Sequence, residues 1–128
     1  MSHSKGFLKL VDEAKKKIKE LNIDDVLKKI KSGDAFYFLD VREDREWFQG
    51  HIEGAEHVGK GVIERDIESL IPDHNADIVL YCGGGYRSAI AAENLQRMGY
   101  TNVKSMDGGI RSWMERGLPI TQAGDREE

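Results

Sequence analysis

The sequence predicts an α/β domain in which a mostly parallel sheet is covered by helices on both faces. Three observations carry that expectation. The apolar runs at 36–41 and 77–81 have the length and the aromatic or β-branched content of buried strands. Segments with apolar residues spaced three and four apart alternate with them, as helices do between parallel strands. Glycine and proline punctuate the junctions. At 128 residues the chain has the size of one ordinary domain, enough to bury roughly two thirds of its unfolded surface without metals or disulfides.

Taken in order, Phe7, Leu10, Val11, Ala14, Ile18 and Leu21 predict one amphipathic helix over 6–19, whose stripe is expected to dock on this same domain. Lys19 to Leu21 adds a short edge strand. Asn22 has the chemistry of an N-cap with Asp25 at the third helical position, and Val26, Leu27 and Ile30 are expected to face inward until Ser32-Gly33-Asp34 ends that helix. The strand Phe36 to Val41 runs into the charged segment Arg42 to Glu46. Residues 50–55 read as a loop with two glycines and 55–58 as a short strand. Ile63, Ile67, Leu70 and Ile71 suit a helix of about three turns, which Pro72 ends. After the strand at 77–81 a helix is expected from Ser88 to Met98, with Gly99 as its stop. Residues 102–106 form another short strand, and Asp107-Gly108-Gly109 leads into a last helix holding Ile110, Trp113 and Met114, closed by Gly117-Leu118-Pro119.

The net charge of -4 is unevenly spread, with nine lysines against five acids in the first 31 residues. Asp12 and Glu13 stand four residues before Lys16 and Lys17, the arrangement of a solvated helix face, so no nucleic-acid partner is expected. No run has the apolar length of a membrane helix, and the first residues lack the layout of a signal peptide, which points away from a membrane and toward the cytoplasm. The single cysteine, Cys82, cannot form an internal disulfide and is available as a nucleophile. His51, His57 and His74 are scattered without metal-ligand spacing, so no metal or cofactor is expected. Each is read as a surface or hydrogen-bonded loop residue.

The junction after the second strong strand holds the chemistry. Cys82 ends the strand and Gly83-Gly84-Gly85-Tyr86-Arg87-Ser88 leads into a helix. A thiol reacts as its thiolate, which needs positive surroundings. Glycines let the backbone curl its N–H groups inward, the helix start adds the positive end of its dipole, and Arg87 adds a full charge. In parallel sheets ligands bind at the carboxyl ends of strands, so Asp40 and Cys82 should emerge at one rim. The glycine run matches neither the nucleotide P-loop nor the dinucleotide spacing.

Several motifs in order resemble the single-domain rhodanese-like sulfurtransferases. They are Leu39-Asp40-Val41-Arg42 with Gly50-His51-Ile52-Glu53-Gly54-Ala55, then Tyr81 to Ser88, then Gly108-Gly109-Ile110 with Trp113 and Gly117-Leu118-Pro119. The resemblance covers about 21–120 and implies a three-layer α/β/α domain with a five-stranded parallel sheet. Residues 1–20 are then an N-terminal helical extension and 121–128 a flexible tail. It further implies a Cys82 persulfide, formed from a donor such as thiosulfate and discharged to cyanide or a thiol, with Gly83, Gly84, Gly85, Tyr86, Arg87 and Ser88 holding the sulfur. Asp40 and Arg42 would serve as a supporting ion pair. Arg87 is expected to contact an anionic substrate or else to turn into solvent; Tyr86 lines the pocket mouth or packs on the loop. Trp47 and Phe48 are expected in the core more than on the pocket wall, and Trp113 likewise. Two rivals remain: a persulfide carrier or regulatory module acting on a protein acceptor, and a phosphatase or arsenate reductase with a Cys-x5-Arg loop. Here Ser88 occupies that arginine's position.

Overall fold

The computed structural model describes residues 3–122. Seven strands and six helices alternate in the order α1 (Lys5–Lys17), β1 (Lys19–Leu21), α2 (Ile23–Ser32), β2 (Tyr37–Asp40), α3 (Asp44–Gln49), β3 (His51–Ile52), β4 (Glu56–His57), α4 (Lys60–Leu70), β5 (Ile78–Tyr81), α5 (Tyr86–Arg97), β6 (Val103–Met106), α6 (Gly109–Glu115) and β7 (Ile120–Thr121). Five strands form one sheet in the order β1-β6-β5-β2-β4, and every neighbouring pair is parallel. This is the three-layer α/β/α architecture expected from the alternation.

The central strand β5 is buried along its whole length, as a continuous apolar run requires when both sheet faces are covered. Its side chains alternate. Ile78, Leu80 and Cys82 pack with Ile63 and Ile67 of α4 and Ala91, Ala92 and Leu95 of α5. Val79 and Tyr81 pack on the other face with Val26 of α2 and Ile110 and Trp113 of α6. Each large side chain buried in this way contributes about 1.5–3 kcal/mol.

The caps follow the local chemistry. Asn22 Oδ1 accepts from the Asp25 N–H at 2.8 Å, and Asp25 reaches back to the Asn22 N–H at 3.2 Å. Gly33, at φ 72°, ends α2 in the left-handed region that glycine enters without strain. Ser4 caps α1 by accepting from the Phe7 N–H at 3.3 Å. Helix α1 lies on α5 through Val11 and Ala14, and Lys17 pairs with Glu93 across that contact. Its docking surface is therefore this same domain.

The structure departs from the sequence expectations in five places. The charged segment after β2 opens α3, held by a reciprocal cap between Glu43 and Glu46; six residues are too few for a repeating apolar stripe to reveal the helix. Residues 51–52 and 120–121 pair as an antiparallel ribbon, so Thr121 belongs to the domain and not to a tail; 123–128 lie outside the described residues. Helix α5 starts two residues earlier than expected, at Tyr86. Leu10 and Ile30, expected inward, are 57% and 44% exposed; the buried residues are Val11 and Ala14 on α1 and Ile23 and Val26 on α2. Phe48 is also exposed, while Trp47 lies half-buried, its ring stacked with those of His51 and His57.

Candidate active site

Strands β2 and β5 pair in parallel with Asp40 opposite Tyr81, so Asp40 and Cys82 leave the sheet at the same rim. Behind the rim the Asp40 carboxylate accepts from the Arg42 backbone N–H at 2.9 Å and from its guanidinium at 2.9 and 3.1 Å. Arg42 also donates to the Gly50 carbonyl at 2.6 Å, which pins the end of α3. Both residues are buried, and neither lines the cleft over Cys82. The pair ties the end of β2 to the end of α3. Next to it, burial and then the Asp40 carboxylate push the Tyr81 phenol well above its ordinary range, while Tyr81 Oη accepts from the Ile52 N–H at 3.0 Å.

Cys82 is 1% exposed. Its Sγ accepts from the Gly85 N–H at 3.1 Å and from the Ser88 N–H at 3.4 Å, with Ser88 Oγ at 3.4 Å. Because α5 begins at Tyr86, both N–H groups belong to the cap and first turn of a helix, where unpaired donors and the helix dipole favour negative charge. Ser88 Oγ also lies 2.8 Å from the hydroxyl of buried Ser105 on β6, which extends the polar chain across the sheet.

The loop is clamped from the far side by the start of α6. The N–H groups of Ile110 and Arg111 donate to the carbonyls of Cys82 and Gly83 at 2.9 and 3.0 Å. This approach requires Gly109: at φ 58°, a Cβ there would stand 2.5 Å from both carbonyl oxygens. The glycines after β6 therefore set the shape of the loop that follows Cys82.

Above Cys82 opens a cleft of about 170 Å³, lined by the expected Gly83, Gly84, Tyr86 and Arg87 and by three residues that the motifs did not single out: Arg111, His3 and Phe7. Arg87 neither points freely at a substrate nor turns into solvent. Its guanidinium makes two bonds to the Glu46 carboxylate of α3, at 2.8 and 3.0 Å, and chiefly through them Glu46 is held well down, at about 2. Tyr86 lines the mouth, where its ring meets those of His3 and Phe7 at 5.1 and 6.2 Å and Lys15 lies over it. Glu46 was detectable as the fourth member of the Glu43-x-x-Glu46 cap. Ser105 and the N-terminal residues carry no local signal, since only the fold brings them to the rim. His51, His57 and His74 bond to the Trp47 and Arg42 carbonyls and to Glu68, and none lines the cleft. Among the described residues no group of three or more His, Cys, Asp or Glu side chains is placed to hold a metal ion, and no helix is long and apolar enough to cross a membrane.

A five-stranded α/β/α domain with a cysteine cradled at the strand-to-helix turn of its central strand defines the class. The rhodanese-like domain model matches residues 22–116, and the chain belongs to that family. The thiosulfate sulfurtransferase PspE of Escherichia coli (strain K12) is 34% identical over 74 residues, covering 58% of this chain and 71% of PspE. YrkF of Bacillus subtilis (strain 168) is 31% identical over 96 residues, 75% of this chain but only 51% of YrkF, so the chain matches about half of that relative's length. Among solved structures, a protein of unknown function from Rhodopseudomonas palustris CGA009, described as a possible tyrosine phosphatase, superposes with a TM-score of 0.83 at 31% identity, covering 94% of this chain and 98% of the other.

Proposed function

We propose that the protein is a sulfurtransferase that carries sulfane sulfur as a Cys82 persulfide. The observation that carries this reading is the convergence of the Gly85 and Ser88 N–H groups and the Ser88 hydroxyl on a buried Sγ at the floor of a small cleft. With thiosulfate as donor, the Cys82 thiolate attacks the sulfane sulfur, the S–S bond of thiosulfate breaks, and sulfite leaves with the bonding pair. The persulfide keeps one negative charge. Cyanide then attacks the outer sulfur, releasing thiocyanate and returning the thiolate; a cellular thiol is the alternative acceptor. The loop donors hold the anionic sulfur through both steps in the manner of an oxyanion hole. The covalent intermediate implies ping-pong kinetics.

Each residue has a role in this scheme. Cys82 is the nucleophile, Gly83 to Ser88 form the substrate and persulfide cradle, and Asp40 with Arg42 supports it from behind. The substrates are small molecules, and the setting proposed is the cytoplasm, where a lone thiol stays reduced.

Phosphoryl or arsenate chemistry is disfavoured by the position six residues after Cys82. A Cys-x5-Arg loop needs a guanidinium there to hold a tetrahedral oxyanion, and this chain has the buried hydroxyl of Ser88. Arg87, one residue earlier, is tied to Glu46. A persulfide carrier serving a protein acceptor uses the same first step and differs only in the second.

A screen of sulfane donors and thiophilic acceptors on the wild type beside Cys82→Ala tests the proposal. Thiocyanate formation that disappears in Cys82→Ala is the expected result. Aryl-phosphate hydrolysis as the dominant activity would overturn it, and a long-lived persulfide with negligible small-molecule turnover would favour the carrier.

A further inference from the structure

Helix α1 lies outside the residues matched by the family model, which start at 22, yet it supplies part of the active-site wall. Ser4 caps the helix, and on either side of that cap His3 and Phe7 project over the cleft and pack against Tyr86. The three ring centroids stand 5.1 to 6.2 Å apart, a small aromatic cluster at the mouth. The same cleft is lined by Arg111, exposed, with no hydrogen bond or ion pair on its guanidinium among the described residues. The other guanidinium of the cleft, Arg87, is neutralised by Glu46. The backbone holds Arg111 in place, since its N–H bonds the Gly83 carbonyl at 3.0 Å. Its Nη1 would stand 2.9 Å from a Cβ on Gly84, so the absence of a side chain at Gly84 is what lets the guanidinium lie over the loop.

From this juxtaposition we infer that Arg111 and the aromatic cluster built on α1 set donor specificity, selecting sulfane donors that join an anionic head to a flat apolar body. The inference rests on the sulfur-transfer reading above. Arg111 receives the head, the departing sulfinate or sulfite, and Phe7 with Tyr86 receives the body. An aryl thiosulfonate is the simplest molecule of this class. Attack of the Cys82 thiolate on its terminal sulfur breaks the S–S bond, leaves the arenesulfinate with the bonding pair, and forms the Cys82 persulfide, so charge and electrons balance.

Three donors separate the two contributions: benzenethiosulfonate has head and ring, methanethiosulfonate has the head with a methyl group, and thiosulfate has the head alone. With the full chain, sulfite or sulfinate release into excess cyanide gives kcat and KM for each. The wild type is expected to favour benzenethiosulfonate over methanethiosulfonate by about fivefold in kcat/KM, the scale of a partly exposed ring contact. Phe7→Ala should bring that ratio near one while leaving the Tm within a few degrees. Arg111→Gln should raise KM for all three donors about fivefold to tenfold with kcat changed much less, as loss of an exposed charge-assisted contact does. Arg111→Lys should recover part of it. Arg116→Gln, which alters a charge just past the same helix where Arg116 pairs with Asp24, should leave every KM unchanged. The inference is overturned if Arg111→Gln leaves KM within twofold, or if Phe7→Ala affects the three donors alike. Wild-type protein that takes sulfur from none of them would instead overturn the sulfur-transfer reading, and this inference with it.

Discussion

Glu46→Gln separates the two arginines of the cleft. The substitution keeps the shape of the side chain and removes the charge that holds Arg87 with bonds of 2.8 and 3.0 Å. A carboxyl held from 4.5 down to about 2 corresponds to roughly 3 kcal/mol of pairing, at about 1.4 kcal/mol per pH unit. The two side chains are 28% and 30% exposed, and screening by solvent brings the expected loss to about 1–2 kcal/mol. For a domain of this size that is a fall in Tm of roughly 3–10 °C. The pH dependence has a fixed sign. Glu46 is depressed in the folded state, so its contribution is complete above about pH 4.5 and is lost as pH falls through about 2. The Tm gap between wild type and Glu46→Gln should therefore be full at pH 7, shrink below 4.5 and close near 2. At neutral pH the variant frees a positive charge beside the cleft, which should raise kcat/KM for thiosulfate about threefold to tenfold at low ionic strength and less at high salt. Thermal unfolding across pH and initial rates across salt measure both effects. Equal Tm values with unchanged salt dependence would refute the assignment of Arg87 as a neutralised residue.

Three further outcomes follow from the packing. Asp40→Ala leaves the Arg42 guanidinium buried without its partner and should cost about 3–5 kcal/mol in chemical denaturation, far more than a surface pair would. Gly109→Ala forces a left-handed φ on alanine and a Cβ into the Cys82 and Gly83 carbonyls; about 2–4 kcal/mol of stability should be lost, and persulfide formation should fall with it. Ser88→Ala leaves the Ser105 hydroxyl buried without the bond that it makes at 2.8 Å, so a loss of about 1–3 kcal/mol is expected and Ser88→Thr should lose less.

The main sheet was legible because its central strand is apolar on both faces and because Asn22, Gly33 and Pro72 mark helix ends by local chemistry. Cys82, Asp40 and Arg42 were legible as positions, and the rim that joins them followed from parallel topology. Other contacts required the fold. Glu46 lies 41 residues from Arg87, and no periodicity marks α3 because six residues make fewer than two turns. The β3–β7 ribbon is two residues per strand, too short for an alternating pattern to show. His3 and Phe7 reach the cleft only because α1 lies along α5, a contact whose amphipathic stripe was visible but whose destination within the domain was not.

In the proposed reaction Cys82 itself carries the transferred sulfur. Intact-protein mass spectrometry after incubation with thiosulfate, followed by peptide mapping, tests it directly. A single added sulfur atom is expected on Cys82, matched by released sulfite, removed by cyanide as thiocyanate, and absent in Cys82→Ala. An unmodified Cys82, or the same added sulfur in Cys82→Ala, would contradict it.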